Sequence, residues 1–269
     1  TWDDVWAAAR KIKASGAAPC GVTSAWLTWI HLENFAAWNN LQYATNENGL
    51  AGPDMELKIN TPIFVKHMQD IADLAKEGVF KYGGRTSEAK PMFLSGECGI
   101  YNDSSGGLGD VIKSGINYGT GPLPYEPTAP GAPQNTIPGG ASLWVFAGHT
   151  DAEYKGVAAF FEFLSRTDIQ ARLHQVSGYL PATMAAYEET KKSGFYEKNP
   201  GREQPIIQMM GKAPTENSKG VRALNLPQLR DIQNEEFEAM LAGQETAQQA
   251  LDNAVKRGNE AIKQALLNQ

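Results

Sequence analysis

Short apolar runs alternate with longer segments of helical periodicity along the first half of this chain, and that alternation constrains the fold most. Cys20-Gly21-Val22-Thr23 reads as a strand and Trp26 to about Trp38 as a helix. Met55-Glu56-Leu57-Lys58-Ile59-Asn60 alternates strictly, as a half-exposed strand does. Thr61-Pro62 opens a helix bearing Phe64, Val65, Met68, Ile71, Ala72, Leu74 and Ala75, with proline in its first turn and Gly78 at its end. A shorter helix near Glu88 to Leu94 precedes the strand Cys98-Gly99-Ile100-Tyr101. Apolar runs near 116–122 and 141–147 read as two more strands, separated by a Pro/Gly-rich loop from Pro124 to Gly140. From Asp151 onward the pattern is almost wholly helical and ends in two amphipathic helices broken at Gly243. Strands alternating with helices over short connections imply an α/β fold. Such folds place ligands where strands end and helices begin.

At 269 residues the chain can bury a large core as one or two domains. Its 24 basic residues face 30 acidic ones, and no basic run offers the phosphate-neutralising surface that nucleic acid needs. A small anion remains a compatible ligand, because one arginine and a few backbone N–H groups suffice to hold it. No stretch approaches the roughly 20 apolar residues of a membrane span. The sequence opens at Thr1 directly into a helical pattern with Val5, Ala8/Ala9 and Ile12 on its apolar stripe, and no apolar leader precedes it. The expectation is a fragment of a longer protein, cut at its front. Cys20 and Cys98 are compatible with a bridge or with two buried thiols. The four histidines share no i,i+3 or i,i+4 spacing, so no zinc site is expected. Neither a G-x-S-x-G elbow, a P-loop nor an H-E-x-x-H motif occurs.

Several residues combine a structural and a functional reading. Ser104-Ser105-Gly106-Gly107 lies between a strand and a helix, where its N–H groups can converge on an anion with help from the helix dipole. The commoner use of such a segment is a plain N-cap. Gly140, within Pro138-Gly139-Gly140-Ala141-Ser142, permits close backbone approach to a ligand or serves only the turn. Trp26 and Trp29 stand at i,i+3 on one expected helix and so share a face. Core packing is the ordinary role for any of six tryptophans. Trp26, however, starts its helix just after a strand, where its ring can cover the C–H face of a polyol or a quaternary ammonium group. Tyr179, in Ser177-Gly178-Tyr179-Leu180-Pro181, either offers its phenol from a loop or closes that loop onto the core. Arg230 falls in the first turn of a helix, where the dipole disfavours a cation unless an anion is near. A bound phosphate or a neighbouring carboxylate each accounts for it.

A wider set of motifs points to a family. These are Thr1-Trp2-Asp3-Asp4-Val5-Trp6-Ala7-Ala8-Ala9-Arg10-Lys11-Ile12-Lys13-Ala14-Ser15-Gly16, the segment from Trp29-Ile30 through Leu32-Glu33-Asn34-Phe35 to Ala37-Trp38-Asn39, and Ala132-Pro133-Gln134-Asn135. They continue with Gly139-Gly140-Ala141-Ser142-Leu143-Trp144-Val145, Gly178-Tyr179-Leu180-Pro181, Gly194-Phe195-Tyr196-Glu197-Lys198-Asn199-Pro200-Gly201 and Pro227-Gln228-Leu229-Arg230. Over essentially its whole length the chain resembles the glycerol-3-phosphate-binding subunits of Ugp-type ABC importers, within the maltose-binding-like class of extracellular solute-binding proteins.

The resemblance implies a two-lobed α/β periplasmic binding protein, monomeric, without cofactor, metal or catalysis. Its lobes close by a hinge and deliver sn-glycerol 3-phosphate, or a glycerophosphodiester such as glycerophosphocholine, to membrane permease subunits. It also implies that Trp26, Ser104, Gly140, Tyr179 and Arg230 contact the ligand, with Trp29 and Ser105 as further candidates. Arg230 would hold the phosphate by charge-assisted bonds, Ser104, Tyr179 and the Gly140 N–H would add donors, and Trp26 would cover the glycerol carbons. By analogy residues 1–114 and 172–269 make the C-terminal lobe, while 115–171 return to the N-terminal lobe, leaving the strands near 116–122 and 141–147 without partners. Two rival readings are an oligosaccharide-binding relative, which needs no arginine at a phosphate, and a phosphodiester hydrolase, which would show turnover.

Overall fold

The computed structural model describes residues 1–268. Helix α1 (Trp2–Ala14) starts where it does because Thr1 and Asp4 form a reciprocal capping box, and Lys11 and Lys13 sit at its negative end. Its buried face is Trp2, Trp6 and Ala9, whereas Val5 and Ile12 are only half-buried and Ala8 is exposed. The expected stripe is thus rotated: the two indoles stack at 4.9 Å and offer far more apolar area than the aliphatic positions. Strand β1 (Cys20–Ser24) is buried along its whole length and pairs in parallel with β2 (Cys98–Asn102). Cys20 and Cys98 stand opposite each other in that register and are joined as a disulfide, their Cα atoms 4.5 Å apart.

Gly21 lets α1 lie directly on β1, because a Cβ there would stand 2.2 Å from the Ala9 carbonyl oxygen. Gly21→Ala is therefore expected to lower the unfolding free energy by about 2–3 kcal/mol. Urea denaturation measures it, and an unchanged midpoint would mean that α1 can shift at no cost.

A π-helical segment (Trp29–Asn34) runs into α2 (Phe35–Trp38), and the left-handed turn of α3 (Thr45–Asn48) follows. Residues Met55, Leu57 and Ile59 are buried in alternation, as the sequence indicates, but the ladder shrinks to one antiparallel bridge between Leu57 and Ala44. The Leu57 N–H goes instead to the Asn259 side chain at 2.8 Å, so no strand partner is needed. Helix α4 (Pro62–Lys76) buries Phe64, His67, Met68, Ile71, Ala72 and Leu74. Short α5 (Lys90–Leu94) leads to β2, and a 3-10 turn (Ser105–Gly107) opens α6 (Leu108–Ser114).

Between 116 and 149 no strand forms among the described residues. The runs near 116–122 and 141–147 are extended in sequence character only, because a strand exists through the hydrogen bonds of a neighbour and none of the described segments pairs with them. Trp144 and Phe146 are consequently 84% and 81% exposed. Helices then dominate as expected: α7 (Asp151–Ser165), α8 (Thr167–Ser177), α9 (Met184–Lys192), α10 (Phe195–Lys198), α11 (Gln204–Met210), α12 (Leu226–Leu241) and α13 (Ala247–Leu267). The last two are separated at Gly243, which takes the left-handed conformation.

The chain divides into two compact units, Thr1–Asp103 with Leu123–Ile137 and Gln208–Gln269, and Ser104–Pro122 with Pro138–Ile207. The first holds the main core, in which Phe35, Phe64, Leu32, Ile71, Leu229 and Phe237 are buried together and α4, α12 and α13 pack on one another. Each such side chain contributes on the order of 2 kcal/mol. The second is a set of helices whose buried residues include His174, Ala186, Thr190, Tyr196 and Ile206.

Candidate functional site

In the first unit β1 ends at Ser24 and the chain bends sharply at Trp26, whose φ of +47° is a left-handed conformation that a bulky side chain rarely adopts. The bend is held on both sides: the Trp26 N–H donates to the Thr86 carbonyl at 3.0 Å and its own carbonyl accepts from Ile30 N–H at 2.9 Å. The indole is 38% exposed. Trp26 therefore precedes the helix and does not share a helical face with Trp29, which lies in the π-helical segment and is half-buried. A left-handed tryptophan costs on the order of 1–3 kcal/mol and persists only where the surroundings enforce it.

Part of that enforcement is a buried polar chain under the bend. The Ser24 hydroxyl donates to the Ala25 carbonyl at 3.1 Å, so its oxygen accepts from His31 Nε2–H at 3.0 Å. His31 Nδ1 then accepts from His67 Nε2–H, also at 3.0 Å. His67 lies flat against Phe35 with centroids 4.1 Å apart, and the Trp2 ring is 4.7 Å away. Burial pushes the His31 pKa down to about 3, and burial, then the repulsion a second proton on the His31–His67 pair would meet and the Lys66 charge, push His67 well below its ordinary value. Both rings are neutral.

Arg230 stands in the first turns of α12 and has the anion that its position calls for: Glu33. The Arg230 Nε and Nη2 donate to the two Glu33 carboxylate oxygens at 2.6 and 2.7 Å, a fork-to-fork pair. The Glu33 side chain is 2% exposed and that of Arg230 39%, so the pair is rooted in the interior and open on the arginine side. Hydrogen bonding to Glu33 raises the Arg230 pKa further, which keeps the guanidinium charged at any working pH. Burial and then the Glu33 carboxylate push the Tyr43 phenol up, so it stays a neutral group that accepts from the Gln233 amide at 2.7 Å.

In the second unit Ser104 is the N-cap of the 3-10 turn, its Oγ accepting from Gly106 N–H at 3.2 Å. Ser105 is the first residue of that turn. The Tyr179 ring lies on the same turn. A Cβ at Gly106 would be 2.8 Å from the Tyr179 Cζ, so glycine lets the phenol lie closely on the turn. Gly140, at φ +109°, faces the other edge of that ring, its hypothetical Cβ 3.6 Å from Tyr179 Cε1. Tyr179 is 53% exposed, which favours an offered phenol over a loop-closing one. The structure thus brings Ser104, Gly140 and Tyr179 together.

Four partners carry no functional signal of their own in the sequence: Glu33, His31, His67 and His174. Glu33 carries no local signal, and its meaning comes only from Arg230, 197 residues away. His31 and His67 lack metal-ligand spacing in the sequence, and no metal-binding cluster occurs among the described residues. His174, buried behind Tyr179, follows the same pattern.

These features belong to a chain of mixed α/β architecture, and the comparisons with known proteins identify its family. The chain belongs to the bacterial extracellular solute-binding proteins, whose family model matches residues 1–204. It is 72% identical over 268 residues to the sn-glycerol-3-phosphate-binding periplasmic protein UgpB of Rhizobium meliloti (strain 1021), covering 100% of this chain and 62% of that protein. With the protein of the same name from Escherichia coli (strain K12) it shares 46% over 264 residues, 98% of this chain and 60% of that one. The chain thus spans about 62% of the length of such relatives. Among solved structures, maltose-bound MalE3 of T. maritima superposes with a TM-score of 0.76 at 21% identity, over 97% of this chain and 65% of that one. UgpB from Mycobacterium tuberculosis in complex with glycerophosphocholine gives 0.74 at 17%, over 97% and 64%. The expected fold class holds: a mixed α/β chain forming part of the two-lobed, maltose-binding-like fold.

Proposed function

We propose that this chain belongs to the substrate-binding subunit of an ABC importer, and that the subunit captures sn-glycerol 3-phosphate or a glycerophosphodiester in the periplasm. The observation that carries the reading is the 72% identity, over the whole of this chain and 62% of the relative, to a protein named for binding sn-glycerol 3-phosphate. The chemistry of the candidate residues supports it. Arg230 supplies a permanent charge with its outer edge open, suited to a phosphate oxygen. The Tyr179 hydroxyl, Ser104 and the Gly140 N–H add neutral donors, and the Trp26 ring covers the glycerol carbons, with Trp29 and Ser105 as lesser contributors. Nothing in such a set cleaves a bond, and the subunit hands its ligand unchanged to permease subunits as a monomer. We further assign residues 1–114 and 172–269 to the C-terminal lobe and 115–171 to the return segment of the N-terminal lobe. The exposure of Trp144 and Phe146 within that segment supports the assignment.

Calorimetric titration of the full-length protein with sn-glycerol 3-phosphate, glycerophosphocholine and maltose tests the reading. At least one phosphoester is expected to bind and maltose is not. Binding of maltose alone would overturn it in favour of an oligosaccharide carrier.

A further inference from the structure

We propose that His174 is a positioning residue for Tyr179, locking the 178–181 loop so that the phenol is preset over Gly106 and beside Gly140. The inference rests on the reading of Tyr179 as a ligand residue. His174 lies in the last turn of α8 and is 2% exposed. Its carbonyl accepts from Gly178 N–H at 2.9 Å, closing the helix with Gly178 in the left-handed conformation. Its ring makes two further bonds, one on each nitrogen. Nδ1 meets the Tyr179 carbonyl, which can only accept, so Nδ1 carries the proton. Nε2 is then a lone pair, and the Tyr196 hydroxyl donates to it at 2.9 Å. The two partners thereby fix one tautomer and one ring orientation.

That assembly is itself braced. Tyr196 is buried on α10, and the Arg202 guanidinium lies over the neighbouring Phe195 ring, 5.6 Å from its centroid. Arg202 Nη1 also donates to the Gln175 carbonyl, one residue after His174. The groups facing His174 are Arg202, Tyr196 and the Tyr179 carbonyl, with Tyr187 and Glu203 beyond Tyr196. Burial is the chief influence on the imidazole and lowers its pKa; the bond to the Tyr179 carbonyl opposes it and the Arg202 charge acts with it. A half-exposed tyrosine in an unbraced loop would lose conformational freedom each time it met a ligand. Holding its backbone beforehand removes that cost.

The test uses the full-length protein, calorimetry with sn-glycerol 3-phosphate and glycerophosphocholine, and circular dichroism to confirm folding. His174→Phe loses both ring bonds and is expected to weaken binding about tenfold. His174→Asn keeps an N–H donor near the Nδ1 position and is expected to stay within about threefold of wild type. In a Tyr179→Ala background His174→Phe should cost less than twofold, because its effect passes through the phenol. An undiminished tenfold loss in that background, or wild-type affinity in the single variant, would overturn the inference. Should His174→Phe fail to fold, Tyr196→Phe removes only the tautomer lock, and a several-fold weakening is expected, with none counting against the inference. Side-chain nitrogen NMR of the ligand-free protein is independent of function: the Nδ1–H tautomer supports the inference and the Nε2–H tautomer sinks it. If the wild type binds neither phosphoester, the functional reading falls, and that spectrum still decides whether the His174 ring holds the Tyr179 backbone.

Discussion

Lowering the pH from 7 to 5 is expected to remove about 4 kcal/mol of stability through His31 and His67 alone. The sign follows from the direction of both shifts. Each ring is held neutral by burial in the folded protein, His31 down to a pKa of about 3, whereas in the unfolded chain each binds a proton below pH 6.5. Stability is therefore complete above pH 6.5 and falls as the pH drops toward the folded value, by about 1.4 kcal/mol per unit for each ring. Paired carboxylates such as Glu77 and Glu238, whose pKa values are lowered by Arg10 and Arg85, begin to matter only at more acid pH. Glu245 acts in the opposite direction, since burial and Glu236 raise its pKa, but it is one group against two. Urea denaturation of the protein at pH 7.5, 6 and 5 measures the slope. A flat profile would mean that both rings take up their protons in the folded state as they do in the unfolded chain, and half the slope would mean that one of them does. Because a typical domain holds 5–15 kcal/mol in reserve, the expected loss is a large share of the total. It also falls on the chain that supports the Trp26 bend, so the bend should loosen before the protein unfolds globally.

The sequence announced what depends on local spacing. Pro62 with Phe64, Met68 and Ile71 gave α4, the apolar runs at Cys20 and Cys98 gave two strands, and Gly243 gave the break between the final helices. It could not announce features that one segment imposes on another. The run at 141–147 has every strand-like residue and no hydrogen-bonding neighbour among the described segments, so it forms none. Trp26 looked like a helix start because propensity ignores the left-handed bend that Thr86 and Ile30 enforce from outside. The π-helical turn that brings His31 and Glu33 inward has no composition of its own. In the candidate site, resemblance selected Ser104, Gly140 and Tyr179, and the geometry brought those three together. The groups behind them, His174 and Glu33, are ordinary in sequence and acquire meaning only through partners far along the chain.

Arg230→Ala is expected to lower stability by about 3 kcal/mol, because it strands the Glu33 carboxylate in the interior. The figure is taken at the low end for a broken buried pair, since Arg230 itself is partly exposed and water can reach the gap. The same substitution should weaken phosphoester binding by roughly a hundredfold, the worth of a pair of charge-assisted bonds. One variant cannot separate those two effects, and the pair supplies the remedy. In Glu33→Gln with Arg230→Met the buried charge and its partner leave together, which replaces an ion pair by neutral groups of similar volume and should recover most of the lost stability. Binding should not recover, because no cation remains for the phosphate. Calorimetry and denaturation on the single and double variants of the full-length protein read both quantities. If affinity returns with stability in the double variant, Arg230 serves only as the counter-ion of Glu33, and its role at a phosphate is refuted. If stability returns and affinity does not, the carboxylate acts as a mount that aims the guanidinium. Arg230→Lys refines the outcome further: it keeps the charge but loses the fork, so Glu33 stays compensated while the aim is lost. Stability near wild type with affinity reduced about tenfold is expected there, and this separation of charge from geometry is the sharpest evidence the site can give that Glu33 sets the direction in which Arg230 points.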